Sequence, residues 1–413
     1  MKKILVILLA LSGYSELSKA QLTNSGQLIH LNGDAVITVN SSYIHKKDAV
    51  TNFSGTITNN GTLTVKENWT NDDPASVVFD KESQGLVDLS GDVQVIGGNS
   101  NTVFPSLTLS GSGDKWLASN IVIAGVLSLG DKQLHAEFNN VHIINPNVNA
   151  ITGTGFISTD NYGALLRNTN SNAEYLFPMG SIKNSVTLYR PINFKPDNSL
   201  DNIFSATINY NDPGNDGFDH TRKRYDIQNV WDKYYFVLGQ KSGNSKFNVT
   251  FFQNSKSEKN ATQLVHWEKY YSVWGKASPS TVTGGSFGSD LAGDTLNTSV
   301  LYTAPESFQS MPFTFSSLSS TAGLNPFTFF NAFSPDGDGK NDTWYVKNIE
   351  LYPDNKLTIF NRWGDEVYNA KGYSNEKGWD GADLSSGTYY YVLTANIDGT
   401  ARIYKGFITL IKK

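Results

Sequence analysis

Residues 55–65 read Gly-Thr-Ile-Thr-Asn-Asn-Gly-Thr-Leu-Thr-Val and carry the pattern that decides the fold. Apolar and polar side chains alternate on both sides of Asn59-Asn60-Gly61, which is the period-two signal of half-buried β-strands. Asn and Gly are selected by tight turns because they tolerate left-handed backbone conformations. The stretch therefore predicts two short strands joined by a sharp corner.

Runs of this kind recur about every ten residues from residue 21 to residue 160, with no helical pattern between them. Further examples are Ala35–Val39, Gly85–Leu89, Val93–Ile96, Ser106–Leu109, Ile121–Leu129 and Val141–Ile144. The rhythm is typical of a solenoid of stacked β-coils or of a β-sandwich. Strands this short favour the solenoid, which at ~20–25 residues per coil would have about six turns. Residues 21–160 are therefore predicted to be β-solenoid-like, with a β-sandwich as the alternative.

The composition of the 413 residues limits the classes of function. The chain has 33 Lys and Arg against 38 Asp and Glu, so no basic excess exists to neutralise the phosphates of a nucleic acid. Hydrophobic residues at 39% and aromatic residues at 12% supply enough apolar surface for packed cores. Cysteine is absent, which excludes disulfides, thiolate metal sites and a cysteine nucleophile. We predict an ordered all-β protein without a nucleic-acid partner.

The first twenty residues are typical of a secretory signal peptide. Lys2 and Lys3 form a charged start, and the apolar run from Ile4 to Leu11 is too short to span a membrane. Ser18-Lys19-Ala20 places small residues where signal peptidase requires them, which predicts cleavage between Ala20 and Gln21. No later run has the length of a membrane helix. The chain is therefore predicted to be exported, without a transmembrane segment.

Residues 161–315 are predicted to form a β-sandwich region. Aromatic side chains are densest between residues 225 and 274, and runs such as Lys233–Leu238 and Phe247–Phe252 are typical of longer sandwich strands. Tyr and Trp can stack on sugar rings, but they more often fill the core between sheets. We interpret the cluster as core and keep a glycan-binding face as the alternative. The small, polar stretch 316–325 is predicted to be a linker.

The sequence contains no clear catalytic motif. Its six histidines lie outside any H-E-x-x-H pattern, and no G-x-S-x-G elbow occurs. A polysaccharide lyase needs a basic residue beside carboxylates, yet residues 21–160 contain no arginine. A glycoside hydrolase needs two facing carboxylates, and the neighbours Asp72 and Asp73 would point to opposite faces of a strand. We predict no catalytic residues and no enzyme activity; a secreted glycan-active lyase or hydrolase is the alternative.

The segment 334–342 reads Ser-Pro-Asp-Gly-Asp-Gly-Lys-Asn-Asp and is the candidate metal site. Asp336, Asp338 and Asp342 follow at i, i+2 and i+6, and the two glycines permit sharp reversals of the backbone. Ca²⁺ requires several oxygen ligands on a tightly curled loop, and three carboxylates with nearby carbonyls can supply them. An Asx-rich turn without an ion is the alternative. Calcium is the one cofactor predicted.

Four segments near the C-terminus resemble one family in their order and spacing. They are FSPDGDGKNDTW from Phe333, LTIFNRWGDEVY from Leu357, GWDGADLSSGTYYYVLTA from Gly378 and YKGFITLIKK from Tyr404. Together they resemble the gliding-motility-associated C-terminal domain, also described as the type B sorting domain of the type IX secretion system of Bacteroidota. The resemblance covers residues 326–413; the family usually has Asn at the position of Asp336, and the change keeps an oxygen ligand.

The resemblance implies an Ig-like β-sandwich without catalysis. It also implies recognition by translocon components of the outer membrane, followed by release or by retention through a SprF/PorP-type outer-membrane protein. Arg362 and Trp363 are candidate contacts for a translocon component. A buried Trp with the Arg stacked on it is the alternative, and the large apolar ring favours it.

These observations predict a three-part protein located at the cell surface or outside the cell. Its expected role is adhesin-like or structural, with surface glycans as candidate ligands. A secreted glycan-active enzyme or a glycan-binding protein with the same sorting domain is the alternative.

Overall fold

The computed structural model describes residues 21–412 except 76, 184–185, 225, 255–257, 259–262, 278–279, 284–286, 290–294, 297, 305–309, 319–324 and 398. The expected signal peptide, including Ala20, lies outside these residues, as does most of the expected linker 316–325. The chain forms two compact units, one of residues up to 211, 234–258 and 278–312, the other of 212–233, 259–277 and 313–413. Within the described residues, no helix has the length and hydropathy to cross a membrane.

The first part of the chain winds into a β-solenoid of short strands. They are β1 Leu22–Ser25, β2 Leu28–Leu31, β3 Val36–Val39, β4 Tyr43–Lys46, β5 Thr56–Asn59, β6 Thr62–Val65, β7 Trp69–Asn71, β8 Leu86–Leu89, β9 Gln94–Gly97, β10 Thr102–Phe104, β11 Leu107–Leu109, β12 Lys115–Leu117, β13 Ile121–Ile123, β14 Leu127–Ser128, β15 Gln133–His135, β16 Asn140–Ile143, β17 Ile151–Thr152, β18 Phe156–Ser158, β19 Ala164–Thr169, β20 Tyr175–Phe177 and β21 Met179–Lys183. Parallel stacking continues for about seven turns over residues 22–180, one turn more than expected. The predicted solenoid is confirmed.

The turns of the solenoid stack as three parallel sides. The first side is β1-β4-β7-β9-β12-β15-β18-β21, the second contains β2-β5 and β10-β13-β16-β19, and the third is β17-β14-β11-β8-β6-β3. Strands β5 and β6 come from the stretch 55–65, and their apolar side chains Ile57, Leu63 and Val65 point into the core. Asn59 at the corner is fully buried, where its side chain accepts from the Gly61 amide and donates to the Leu86 carbonyl of the next turn, both at 3.1 Å.

Buried asparagines recur at other corners of the first side. Asn24, His45 and Asn71 lie opposite one another in register and all three are buried. The amide of Asn71 donates to the carbonyl of Asn101 at 2.7 Å. Such bonds satisfy backbone groups where the chain leaves the ladder, which explains why Asn is frequent at the corners.

Between the solenoid and the C-terminal domain, the described residues form thirteen strands. They are β22 Val186–Tyr189, β23 Ile192–Pro196, β24 Asn202–Asn209, β25 Ile227–Val230, β26 Tyr235–Ser242, β27 Phe247–Gln253, β28 Gln263–Glu268, β29 Val273–Lys276, β30 Ser280–Thr283, β31 Phe287–Ser289, β32 Thr295–Leu296, β33 Thr298–Ala304 and β34 Met311–Leu318. In the first unit, β24 and β26 extend the second side of the solenoid in antiparallel order, beside a sheet of order β20-β23-β27-β33-β30. The rings of Phe194 and Phe204, one from each sheet, lie 5.0 Å apart between their centres. This is the sandwich packing expected for the middle region.

The second unit joins β25, β28, β29 and part of β34 with the C-terminal domain. The C-terminal strands are β35 Thr328–Phe329, β36 Ala332–Phe333, β37 Val346–Lys347, β38 Asn355–Phe360, β39 Glu366–Lys371, β40 Gly387–Ile397 and β41 Thr400–Leu410. Short 3₁₀ helices lie at Asp160–Tyr162, Pro213–Asp216, Ile349–Leu351 and Asn375–Lys377. The order β36-β41-β40-β38-β39 and the β35-β37 pair form the β-sandwich-like domain that was predicted.

Candidate functional site

Aromatic side chains form the core of the C-terminal domain and fix the loop that precedes β37. Trp344 is fully buried, its indole donates to the carbonyl of Phe330, and its amide donates to the carbonyl of Trp379 at 2.8 Å. The hydroxyl of Tyr373 donates to the Trp344 carbonyl. Phe333, at the other end of the loop, is also buried. The acidic segment 334–342 is thus held at both ends by the core.

Asp336, Asp338 and Asp342 meet on this loop, as their spacing predicted. One carboxylate oxygen of each lies within 4.8 Å of the others. Gly337 and Gly339 have φ of 79° and 81°, a conformation that glycine adopts without strain. Their amides donate to the two carboxylate oxygens of Asp342 at 2.7 and 2.8 Å. The loop therefore curls around Asp342 and presents Asp336 and Asp338 to solvent.

The chemistry of this loop suits a hard divalent cation. Three carboxylates so close together repel one another unless a positive charge or hydrogen-bond donors compensate them. Asp336 and Asp338 line a surface depression together with Pro335 and Lys412. Oxygen ligands on a curled loop are what Ca²⁺ requires, and Lys412 offers an alternative counter-charge. Calcium binding by these three residues stays a prediction.

Arg362 and Trp363 lie at the tip of the β38–β39 hairpin. The side-chain oxygen of Asn361 accepts from the amides of Trp363 at 2.9 Å and Asp365 at 3.0 Å, which fixes the turn. Trp363 is 80% exposed, and the guanidinium of Arg362 lies 5.6 Å from the centre of its ring. The interpretation of Trp363 as buried is wrong, because the turn places its side chain in solvent, whereas the stacked arginine is confirmed.

The aromatic cluster of residues 225–274 belongs mainly to the core. Its buried members are Tyr234, Tyr235, Phe236, Phe247, Phe251, Phe252, Trp267 and Trp274. Tyr270 is 89% exposed, and Tyr225 lies outside the described residues. The interpretation of the cluster as core is confirmed for the buried members.

Lys115 is a buried charged residue that the sequence analysis missed. Its ammonium donates to the carbonyls of Gly91, Asp92 and Gly113 at 3.1, 2.9 and 2.8 Å. Burial lowers the pKa of this ammonium from 10.5 to about 8. Lys115 occupies the same inward side of β12 as Leu117, so strict alternation along the strand was a signal that could have identified it.

Arg167, the first arginine of the chain, is also enclosed in the first unit. Its guanidinium donates to the carbonyls of Leu176, Asn147 and Val148 at 2.6, 3.0 and 3.2 Å, and it lies over the ring of Tyr175. Burial lowers the pKa of Arg167 to about 10. These bonds connect β19 to the corner between β16 and β17 and to β20. The buried cation therefore stabilises the C-terminal end of the solenoid.

Arg190 and Glu258 form a buried ion pair between segments far apart in sequence. The guanidinium donates to one oxygen of Glu258 at 2.7 and 2.8 Å, and the hydroxyl of Tyr234 donates to the same oxygen at 2.9 Å. The Asn254 amide donates to the other carboxylate oxygen at 3.0 Å. Burial raises the pKa of Glu258, and Arg190 opposes that shift. No sequence pattern could have paired residues 68 positions apart.

Two further groups contain histidine. In the solenoid, His45 Nε2 lies 3.8 Å from Asp73 Oδ2, both side chains are fully buried, and burial lowers the pKa of His45. In the second unit, ligand atoms of Asp212, His220 and Asp232 lie within 4.8 Å of one another. Asp212 accepts from the Gly214 amide at 2.7 Å and lies 2.9 Å from His220 Nδ1, as expected for a residue that orders its own loop.

Of the remaining predicted site residues, Gln21 lies at the start of the described chain and is exposed.

Comparison with known proteins assigns the C-terminal region. Residues 327–410 match the family described as CHU_C Type IX secretion signal domain. No curated protein and no solved structure matches the chain. The protein is therefore directed to the cell surface or beyond it, and it interacts with the secretion machinery. Residues 327–410, which include the acidic loop and the Arg362–Trp363 tip, are a Type IX secretion signal domain at the C-terminus of a chain with a β-solenoid body.

Proposed function

We propose that the chain is a non-enzymatic surface or secreted protein, adhesin-like or structural, whose solenoid body is exported by the signal domain. The observation that carries the proposal is the presence of a seven-turn β-solenoid and a Type IX secretion signal domain in one chain. A SprF/PorP-type outer-membrane protein is the partner proposed for retention at the surface.

The geometry of the body supports this role. Parallel strands stack ~4.8 Å apart, so seven turns give a rigid body about 34 Å long with extended lateral surfaces. Three ionisable groups with displaced pKa values, Lys115, Arg167 and Glu258, are buried. Lys115 and Arg167 are bonded to backbone carbonyls, and Glu258 is bonded to Arg190. Groups held in this way stiffen the body and are inaccessible to a substrate. Their burial favours a structural role over catalysis.

Truncation after residue 325 tests the export function. In a host with a working type IX secretion system, we expect the full chain at the surface or in the medium and the truncated chain in the periplasm. Immunoblots of the separated fractions measure this distribution. Surface display of the truncated chain would show that residues 326–413 are dispensable for export.

Two adjacent positions provide a matched pair of point variants. Trp344→Ala removes a fully buried ring from the signal domain and should trap the chain, since such truncations cost about 3–5 kcal/mol. Tyr345→Thr changes a side chain that is 47% exposed and should leave export intact. Equal export of the two variants would contradict recognition of a folded domain.

The absence of enzyme activity is tested with the purified chain and a broad panel of polysaccharides. We expect no release of reducing or unsaturated sugar ends. Reproducible release that is lost when a single carboxylate is replaced would overturn the non-enzymatic proposal and favour the glycan-active alternative.

Glycan binding is the second candidate function, and one exposed indole favours it. Trp116 on the first side of the solenoid is 38% exposed, and the ring of His135 stacks on it with 3.6 Å between centres. An outward Trp on a regular surface can stack on a sugar ring. Trp116→Ala should then abolish retention on immobilised glycans, whereas Val103→Ala, which alters another exposed solenoid side chain, should not.

A further inference from the structure

The sheet of the signal domain carries a row of aromatic side chains on its solvent side. Phe360 of β38, Tyr390 of β40 and Phe407 of β41 lie directly opposite one another. Tyr390 and Phe407 are 49% and 51% exposed, and Phe360 is half-buried. Since neighbouring strands are ~4.8 Å apart, the row crosses about 10 Å of the sheet.

Further apolar side chains extend the row into a patch. Ile403 is 62% exposed, and Val392 is half-buried next to Tyr390 on the same side of β40. The other side of these strands packs in the core through residues such as Leu357 and Ile408. We call Phe360, Tyr390, Val392, Ile403 and Phe407 the outer face. A contiguous apolar patch on a folded domain marks an interaction surface.

Lysines surround the outer face. Lys405 lies opposite Val392, and Lys356 lies opposite Lys371, an arrangement of like charges that destabilises an isolated sheet. No ion pair joins these lysines to a residue that the structure describes. The outward positions of β38, β40 and β41 carry no Asp or Glu, whereas on β39 Glu366 lies opposite Phe360. Three lysines therefore stand against one glutamate around the outer face. A complementary surface would therefore have an apolar centre and carboxylates around it.

The hairpin tip continues the outer face. Phe360 is the last residue of β38, and Arg362 and Trp363 follow it in the turn. Trp and Arg are the residue types that dominate the energy of protein interfaces. The exposed Trp363 thus lies at the end of the sheet where the aromatic row crosses it.

Building on the proposed export function, we infer that the outer face and the Arg362–Trp363 tip are the surface by which a protein of the secretion machinery recognises this domain. The partner presents an apolar centre surrounded by acidic side chains. A partner that recognises a folded domain contacts its solvent-exposed side chains. The residues of the outer face are the large apolar side chains on the solvent side of the sheet β36-β41-β40-β38-β39.

The double variant Tyr390→Thr/Phe407→Thr in the full chain tests this assignment. Threonine keeps a high strand propensity, so the sheet should be retained, and an unchanged melting temperature of the purified variant checks it. We expect export to fall about tenfold or more, with the chain accumulating in the periplasm, because a tenfold loss of affinity corresponds to about 1.4 kcal/mol and a pair of central interface aromatics contributes at least that much. Normal export of a folded variant would overturn the inference.

Phe330→Thr/Tyr345→Thr is the matched control, since these two rings, which pack edge to face, are 49% and 47% exposed and lie outside β38–β41. The control variant should be exported normally. If it accumulated in the periplasm instead, the loss of any exposed aromatic pair would be enough to block export, and the outer face would not be the specific recognition surface. The truncation after residue 325 is measured in parallel. Export of the truncated chain would refute the proposed function, whereas a trapped truncation with an exported outer-face variant would refute this inference alone.

Charge reversal tests the acidic character of the partner. Lys356→Glu/Lys371→Glu/Lys405→Glu should block export, and the corresponding glutamine variant should reduce it less. Normal export of the glutamate variant would overturn an acidic partner.

Purified full chain should also bind isolated outer membranes of the host and lose that binding when the membranes are first digested with protease. Binding that survives digestion would assign the face to lipid and overturn the protein partner.

Discussion

Lys115, Arg167 and Arg190 each place a positive charge inside a β-core. Removing an ion from water costs several kcal/mol, so each charge requires bonds that compensate the loss of hydration. Lys115 and Arg167 obtain them from backbone carbonyls, whereas Arg190 obtains them from Glu258. The carbonyl-bound cations Lys115 and Arg167 therefore add bonds between segments of the solenoid that the strand ladders do not supply.

Lys115→Met should lower the free energy of unfolding by about 2 kcal/mol near neutral pH, because three carbonyls lose their donor. The deficit should grow between pH 8 and 10.5, since folded Lys115 releases its proton near 8 while the unfolded chain holds it to 10.5. In that window the unfolded state binds more protons, so rising pH stabilises the wild type alone. Urea unfolding of both proteins across this pH range measures the difference.

The matched control is Lys66→Met, which replaces an exposed lysine of the same solenoid. It should change stability by no more than about 0.5 kcal/mol at every pH. A Lys115→Met deficit that stays constant or shrinks as the pH rises would contradict the lowered pKa.

Residue-scale prediction succeeded where the spacing itself carries geometry. Asp336, Asp338 and Asp342 meet because two glycines within seven residues let the loop curl around one carboxylate. It failed for Trp363, because a large apolar residue type does not reveal whether a turn will hold it in solvent. It also missed Lys115, whose position on the inward side of β12 was readable but whose burial depends on carbonyls from neighbouring turns.

At the scale of elements, the period-two runs predicted strands and corners well. The strands β5 and β6 fall within the stretch 55–65, and Asn59 lies at the corner between them. The number of turns was less predictable, because the coils vary in length. In the coil between β7 and β8, the described residues pair on the second side through the isolated bridge of Phe79 with Ile57. The residue type at a corner depends on contacts with the adjacent turn of the solenoid. Such contacts cannot be read from the sequence of a single strand and its corner.

Gly98 is a corner residue that shows this dependence on the adjacent turn. Its φ is 114°, and an added Cβ would lie 2.2 Å from the carbonyl oxygen of Asn71. Gly98→Ala should cost about 2–4 kcal/mol through strain and the clash between turns. Native-state hydrogen exchange of β7 and β9 measures the loss. Gly33→Ala, at a corner with no atom within 4 Å, should leave exchange unchanged, and equal effects would contradict this account.

The acidic loop leads to a second prediction at the scale of elements. If residues 336–342 bind calcium, the ion should raise the stability of the signal domain by about 2.7 kcal/mol at a hundred times its dissociation constant. Calorimetry of the full chain with calcium and with chelator measures the shift. Asp338→Asn should abolish it, whereas Asp365→Asn at the hairpin tip should not. Identical melting in calcium and chelator would leave the loop as an Asx-rich turn.

At the scale of the whole molecule, the second unit is assembled from segments that are far apart in sequence. Arg224 donates to Glu268 Oε1 at 3.1 Å and to the carbonyl of Leu351, within the signal domain, at 2.9 Å. Its guanidinium also lies over the rings of Tyr271 and Tyr352. The sequence analysis predicted domains that follow one another along the chain. It could not predict that residues 212–233 and 259–277 pack with the C-terminal domain, because no local sequence pattern indicates contacts between distant segments.

Arg224→Ala should loosen this assembly. Removing one partner of a half-buried ion pair costs about 1–3 kcal/mol, and it leaves Glu268 and the Leu351 carbonyl without their donor. Hydrogen exchange should accelerate in 263–276 and near residue 351, while the solenoid strands keep their protection. Arg222→Ala, which removes a bond of 3.4 Å to the Tyr271 carbonyl, is the control and should have little effect. Unchanged exchange in the Arg224 variant would show that the segments are held by their apolar contacts alone.

The way the parallel stack ends has a consequence for self-association. On the second side the antiparallel strand β24 occupies the edge of β19, on the first side β22 turns back along β21, and on the third side the last strand, β17, has two residues. An open row of amides and carbonyls in a stack of this kind can template further chains and grow into fibres. The first two sides thus end in an antiparallel strand, and the third ends in a two-residue strand. None of the three sides ends here in a long parallel strand on which a second solenoid could stack. In the described residues, the order of the strands therefore opposes end-to-end growth of the parallel stack at this end.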